Sequence, residues 1–517
     1  MKTKSKWEYG DFQTPDALAE QAVRLLKERL CQKIGTIIEP TCGRGSFLVA
    51  AANAFPAAKK IVGLDINTDH LAIAKQRIKG RRYAKRTELV HADFFQTDWR
   101  ALVSHYPKPI LVVGNPPWVT SADLGTLRSA NIPSKSNFQG HRGIEAITGK
   151  ANFDISEWML YKFCEWLRGQ SACIAMLCKQ AVARKVLRHA WKAGIPTKRA
   201  AIYTIDADKY FNAAVDACFF VLETQTEPAV ECQRSVADCE VYDSLDANTP
   251  VSAFGYHDDM VVANAPVYLR RRQLLTGERN YSWRSGVKHD CSAVMELEKK
   301  GAFYVNGLGE KLSLETQLLY PLLKSSDLGN GRISAARRFV LITQAYVGQN
   351  TDYIREIAPR TWSYLVSHKE RLDGRRSSIY RNKPSFAIFG IGPYAFSEWK
   401  VGISGFYKKL HFSLIGPLGG KPTMVDDTVY FIDCRSQDEA ECLVQLLNSE
   451  IAKEALGSLV FWSDKRPITV DLLSRLNLQA LAKELGLEDC YLNHLEKREK
   501  VTRRTAKSAK AQFVLAL

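Results

Sequence analysis

The 517-residue chain lacks any apolar run near the roughly 18 residues that a membrane-spanning helix needs, so a membrane protein is not expected. Its first residues, Met1-Lys2-Thr3-Lys4-Ser5-Lys6-Trp7, are basic but lead into no apolar segment, which argues against a secretory signal and for a cytoplasmic protein. The twelve cysteines form no Cys-x-x-Cys pair and no Cys/His ligand spacing. Several of them, including Cys173, Cys178 and Cys218, fall in apolar strands, so reduced buried thiols are expected, with neither disulfides nor a metal centre. Acidic residues are scarce in one region. Residues 270–410 hold 24 Lys and Arg against 12 Asp and Glu, a net of +12, and residues 497–510 hold seven against one, a net of +6. The whole chain carries +17, so the remainder is close to neutral. A neutral body with a basic C-terminal half fits a polyanion docked on that half.

At this length two or three domains are expected. The first 225 residues alternate short apolar runs with helical patterns. Strands are read at Thr36-Ile37-Ile38-Glu39, Lys60 to Leu64, Glu88 to His91, Ile110 to Gly114 and Ala172 to Cys178, with a closing pair over 200–205 and 216–223. Helices are read from Thr14-Pro15 to about Arg29, from Ser46 to Ala54, near 68–79 and over 154–168. This alternation predicts an α/β fold, an open and mostly parallel sheet with helices on both faces. Residues 226–265, mixed and polar with Pro228 and Pro250, read as a connecting segment. Residues 266–485 read as a second, α+β domain in which aromatics and glycines interleave with Arg and Lys, helical over 437–485, and residues 486–517 as a basic tail.

The chemistry gathers at strand ends. Asn115-Pro116-Pro117-Trp118 follows the fourth strand. Such a device can hold a flat amino-bearing group by its N–H hydrogens and stack on its face. The first strand ends in Glu39-Pro40-Thr41-Cys42-Gly43-Arg44-Gly45, where Gly43 and Gly45 let backbone approach a ligand. Asp65 ends the next strand, where a carboxylate can accept from ribose hydroxyls; Asp93 ends the third, where it can accept from an adenine amino group while Phe94 packs on the ring. A dinucleotide site would carry a third glycine, but Leu48 stands there and an acid precedes the glycines. An acid suits an ammonium better than a pyrophosphate, so S-adenosylmethionine fits better than a nicotinamide dinucleotide.

With these motifs the chain resembles the amino-methylating DNA methyltransferases, in particular the N6-adenine group with the cofactor motif first and the target-recognition region last. The resemblance implies a Rossmann-like methyltransferase domain with a mixed seven-stranded sheet. It implies that Phe12-Gln13-Thr14-Pro15 approaches the methionine moiety, with Thr14 and Pro15 at the cofactor, that Glu39 to Gly45, with Thr41 and Cys42, forms the cofactor loop, and that Asp65-Ile66 and Asp93-Phe94 hold ribose and adenine. It implies that Asn115 to Trp118 is the catalytic motif and that Phe211, in Tyr210-Phe211-Asn212, is a second aromatic clamping an extruded base with Trp118. The basic half resembles a TaqI-like specificity domain at Phe389-Gly390-Ile391-Gly392-Pro393-Tyr394 and Asp427-Thr428-Val429-Tyr430-Phe431. The implied partners are double-stranded DNA and a cognate restriction endonuclease. Expected DNA contacts are Arg375, Arg376, Arg381, Lys383, Lys408 and Lys409. The stretch 119–151, poor in periodicity, is expected to be a mobile segment that orders on DNA. Asp154 reads as a helix cap. Cytosine N4, an RNA base or a protein glutamine would be alternative methyl acceptors, and a non-catalytic DNA-binding subunit is the alternative outside enzymology. Glu296-Leu297-Glu298-Lys299 formally resembles a nuclease string but lies where the specificity domain begins.

Overall fold

The computed structural model describes residues 13–30, 33–119, 154–226 and 237–498. The segment expected to be mobile lies, apart from Val119, outside the described residues, as do Phe12 of the N-terminal motif and residues 499–517. The chain divides into two units, Met1–Ala265 and Pro266–Leu517.

The first unit is built on strands with apolar centres that are buried along nearly their whole length. β1 (Thr36–Glu39), β4 (Ile110–Gly114) and β5 (Ala172–Lys179) are buried on both faces, as parallel strands covered by helices must be. With β2 (Lys60–Asp65), β3 (Thr87–His91), β6 (Thr197–Ile205) and β7 (Ala217–Thr224) they run in the order β6-β7-β5-β4-β1-β2-β3. β5 through β3 are mutually parallel, and β7 lies antiparallel to both β5 and β6. The order turns outward in both directions from the β1/β4 pair, so the C-terminal ends of β1 and β4 flank the switch point where open α/β sheets take their ligands. Helix α1 (Asp16–Arg29) begins just after Pro15 and buries Leu18, Ala22 and Leu26 against α2 (Ser46–Ala54), whose Phe47 and Leu48 reach the sheet core. Helices α3 (Thr68–Ile78), α4 (Trp99–His105), α5 (Ile155–Trp166) and α6 (Gln180–Lys192) complete the layers.

The sheet has ten strands where seven were expected. Residues 226–265, read as a connecting segment, carry β8 (Asp238–Tyr242), β9 (Ser252–His257) and β10 (Met260–Val262), which extend the sheet beyond β6. β8 pairs parallel with β6, so β6 is not an edge. The attachment is aromatic and cationic. Tyr242 stacks on Tyr203 with centroids 4.6 Å apart, and Arg29 donates to Tyr242 Oη at 3.2 Å and to the Ala247 carbonyl at 2.8 Å.

The second unit holds a four-stranded antiparallel sheet, β11 (Arg284–Ser285), β20 (Val429–Cys434), β17 (Trp399–Ser404) and β18 (Ser413–Ile415) in that order. A six-stranded sheet runs from β14 (Lys311–Leu312) through β13 (Phe303–Asn306), β12 (Glu296–Lys300), β16 (Arg338–Leu341) and β15 (Leu319–Leu323) to β19 (Met424–Val425). Helix α7 (Gln437–Leu447) packs on β17. The described part of the expected tail is folded: residues 488–498 are helical, and Arg498 pairs with Asp433 at 2.9 Å and Glu439 at 3.2 Å.

Candidate active site

The loop after β1 is held by two carboxylates. Asp65 Oδ2 accepts from the Gly43 N–H at 2.7 Å, and Glu39 Oε2 accepts from the Leu48 N–H, in the first turn of α2, at 2.7 Å. Gly43 (φ 51°) and Gly45 (φ 80°) are left-handed, and a Cβ on Gly43 would lie 2.9 Å from Gln13 Oε1. Gln13 Oε1 also accepts from the Arg44 N–H at 3.2 Å, so it lies against the turn; the sequence motif contained Gln13 but singled out its neighbour Thr14. Thr14 is half-buried and Pro15 exposed at the start of α1. Arg77 on α3 braces the same turn, donating to the Arg44 carbonyl and to Asp16.

The electrostatics of the loop are set by burial. Burial pushes the Glu39 carboxyl well above the ordinary carboxylate range; the Leu48 N–H works against this and the Asp65 charge adds to it. Thr41 Oγ1 is buried with no hydrogen-bond partner among the described residues. Cys42 is buried beside Gly63, where a Cβ would sit 3.2 Å from its sulfur, and burial followed by the Glu39 and Asp65 charges pushes its thiol up. That thiol is packing, not a nucleophile. An unpartnered hydroxyl, a backbone turn open to close approach and a buried acid form a set that fits the polar methionine end of S-adenosylmethionine.

The residues expected at the adenosine fare unevenly. Ile66 is 39% exposed at the end of β2. Asp93 Oδ1 accepts from the Phe95 N–H at 2.8 Å, and Oδ2 from Gln96 Nε2 at 3.1 Å. Phe94 departs from expectation: its ring is buried among Trp99, Trp158, Phe163 and Trp166, with centroids 5.1–6.1 Å away. It is the core of an aromatic cluster rather than an open stacking face.

The motif expected to be catalytic stands next to the loop expected to hold the cofactor. A Cβ on Gly114, the last residue of β4, would lie 3.3 Å from Glu39 Cγ and 3.7 Å from its Oε1, so Asn115 leaves the sheet directly beside Glu39. Trp118 is buried and donates Nε1–H to the Leu177 carbonyl at 3.3 Å. Its ring meets Phe211 edge to face, with centroids 5.2 Å apart and planes at 67°. The sequence pairing of these two aromatics is therefore present, but in an edge contact rather than as parallel walls. Phe211 ends a single helical turn, Ala207–Phe211, capped by Asp206 and closed by Asn212 at φ 52°.

One residue at this site escaped sequence reasoning. Lys179, the polar end of the apolar strand β5, donates to the Trp118 carbonyl at 3.3 Å and pairs with Asp154 at 2.7 Å. Asp154 also caps α5, accepting from the Ser156 N–H at 3.0 Å, as expected of it.

In the second unit Arg376, Arg381, Lys383, Lys408 and Lys409 are exposed. Arg375 corrects an expectation. It donates to the carbonyls of Leu372, His289 and Ala387 and lies 3.7 Å over the Tyr380 ring, so its guanidinium is committed to the fold. Exposed Phe406 and Trp462, and Arg466 stacked 4.7 Å over Phe406, were not singled out from the sequence. The absence of Cys/His ligand spacing also needs correction: Cys442, Cys490 and His494 bring their ligand atoms within 4.8 Å of one another.

Residues 2–177 match the family N-6 DNA Methylase. The chain is 42% identical over 487 residues to the Type II methyltransferase M.NspV of Nostoc sp., covering 93% of this chain and 98% of that protein. A shorter similarity, 28% over 124 residues, covers 24% of this chain and 35% of the ribosomal protein uL3 glutamine methyltransferase of Francisella tularensis. Among solved structures, the Type IIL restriction-modification enzyme MmeI in complex with DNA aligns over 96% of this chain and 77% of its own, at 11% identity and a TM-score of 0.47. No helix among the described residues is long and apolar enough to cross a membrane. With a relative of that identity matched over nearly its whole length, the chain belongs to the N-6 DNA methylase family, whose members take their methyl group from S-adenosylmethionine.

Proposed function

We propose that the protein is a site-specific DNA methyltransferase acting on N6 of an adenine extruded from the duplex, within a restriction-modification system. The observation that carries this reading is the adjacency of the two motifs: Asn115 emerges from β4 beside Glu39, the acid that ends β1. A group gripped by Asn115-Pro116-Pro117-Trp118 is thereby close to anything held by the Glu39–Gly45 turn. An amino group paired and stacked in a duplex cannot reach such a site, so the base must leave the helix.

Bound S-adenosylmethionine supplies an electrophilic methyl group on a sulfonium. In the chain, the Asn115 side-chain oxygen and the Pro116 carbonyl accept the two N6 hydrogens, drawing the nitrogen out of conjugation and aiming its lone pair. Each acceptor near the developing positive charge contributes about 2–4 kcal/mol in a site closed to water. Trp118 and Phe211 hold the base at about 1–3 kcal/mol per stacked face. Alignment of donor and acceptor supplies the rest. Exposed Arg376, Arg381, Lys383, Lys408 and Lys409 give the second unit a phosphate-binding character, and its acid-poor sequence supports DNA over a protein substrate.

Long-read modification sequencing of DNA from cells expressing the protein tests the proposal. The expected result is a defined motif with modified adenines that disappears in an Asn115→Ala strain. Unmodified adenines throughout, or a signal that survives the substitution, would overturn it.

A further inference from the structure

The chemistry proposed above needs no metal, yet the second unit assembles a set of soft ligands. Cys442 is buried on α7. Cys490, exposed, and His494, half-buried, stand four residues apart on the helix over 488–498 and so on one face of it. Cys490 Sγ approaches Cys442 Sγ to 3.1 Å, and the three ligand atoms lie within 4.8 Å of one another. We propose that Cys442, Cys490 and His494 bind a thiophilic dication of the zinc class, which pins the C-terminal helix to α7.

The donor set and the spacing select the ligand. Two thiolates and an imidazole suit zinc and exclude the hard cations that take oxygen ligands. Bond lengths of about 2.0–2.3 Å in a tetrahedron put neighbouring donor atoms roughly 3.3–3.8 Å apart. The two sulfurs stand just below that range at 3.1 Å, so a bound ion requires them to part slightly. A disulfide would explain the two cysteines but would leave His494, one turn along the same face, without a role.

The helix is independently anchored at its other end by Arg498 on Asp433 and Glu439, and Tyr491 Oη accepts from Asn280 Nδ2 at 3.0 Å. The metal site therefore sits on a helix already docked, and its donors arrive from two elements of one unit. The fourth tetrahedral position is left for water or a small anion.

Cobalt(II) added to the reduced, metal-stripped full-length protein is the probe. The expected result is one cobalt per chain, with a thiolate-to-cobalt charge-transfer band and tetrahedral d–d bands that zinc abolishes. Cys490→Ser and His494→Ala, both at solvent-reached positions, are expected to weaken binding roughly tenfold or more. Cys291→Ser, at a partly buried cysteine elsewhere in the same unit, is expected to change nothing. Three results would overturn the proposal: no charge-transfer band in the wild type, unchanged binding in Cys490→Ser, or a Cys442–Cys490 disulfide in protein whose thiols were blocked at lysis.

Discussion

Replacing Glu39 by Gln separates the charge of this side chain from its role in the fold. Glu39 Oε2 accepts from the Leu48 N–H at 2.7 Å, a bond that the amide oxygen of Gln can keep. The other oxygen, Oε1, lies 3.7 Å from where a Cβ on Gly114 would stand and so faces the catalytic strand end; in the variant that position becomes an N–H donor. The fold should change little, by about 1 kcal/mol, because the Leu48 N–H keeps its acceptor and the amide adds only the N–H group facing the strand end. A cationic cofactor loses one charge-assisted bond of about 1.5–3 kcal/mol, which at 1.4 kcal/mol per decade is a roughly 10–150-fold weaker affinity for S-adenosylmethionine. The pH dependence has a definite sign. The Glu39 carboxyl is raised well above 4.5 by burial, so the empty folded chain keeps a proton that the unfolded chain has lost. Its contribution to stability is full below the unfolded value and is lost as pH rises through the folded one. A bound cation favours the carboxylate, so binding expels this proton and affinity rises with pH across the same window. Titration calorimetry in two buffers of different ionisation enthalpy measures both effects. Wild-type protein should release protons on binding and Glu39→Gln should release none. An affinity within about twofold of wild type, or equal proton release in the variant, would refute the argument.

Lys179→Met removes the donor to the Trp118 carbonyl and strips Asp154 of its partner. Turnover should fall about tenfold with cofactor affinity unchanged, and Lys179→Arg should restore part of it; single-turnover kinetics with DNA make the comparison. Arg375→Ala should cost about 2–4 kcal/mol of stability, since three carbonyls and the Tyr380 face lose their partner, and thermal unfolding reads this directly. Arg376→Ala and Arg381→Ala should leave unfolding unchanged and each lower the salt slope of DNA binding by about one, measured by fluorescence anisotropy.

What was legible in the sequence follows the range of the forces involved. β1, β4 and β5 announce themselves because strands buried on both faces must be apolar throughout, and their ends then place Glu39, Asp65, Asp93 and Asn115 on one edge. β8–β10 were read as a connection because short, half-buried strands at the margin of a sheet carry a mixed pattern; their attachment through Tyr203, Tyr242 and Arg29 joins residues far apart in the chain. Phe94 was taken for a ligand face because its neighbours in space, Trp158, Phe163 and Trp166, lie more than sixty residues away in sequence. Arg375 and Arg376 are indistinguishable as letters, and only the carbonyls converging on Arg375 separate a brace from an exposed cation. Cys490 and His494 are one turn apart and could be paired by eye, but Cys442 comes from another helix.

The edge contact between Trp118 and Phe211 bears on how a base enters. A base stacked between two rings needs their planes parallel and roughly 7 Å apart, two contacts of about 3.5 Å. The rings instead stand at 67° with centroids at 5.2 Å, closing that gap with each other. Of the two, Trp118 is the fixed wall, held by its Nε1–H on Leu177 and its carbonyl on Lys179, whereas Phe211 ends a five-residue helix. For the proposed complex to form, one of these two buried rings must turn, and Phe211 is the one expected to do so. It gives up one edge-to-face pair, about 0.5–1.5 kcal/mol, and in the proposed complex gains two stacked faces at about 1–3 kcal/mol each. The exchange favours the occupied pocket, and the surplus offsets part of the few kcal/mol needed to unpair and unstack the base. In the proposed complex the base thus takes the place of the edge contact between Trp118 and Phe211.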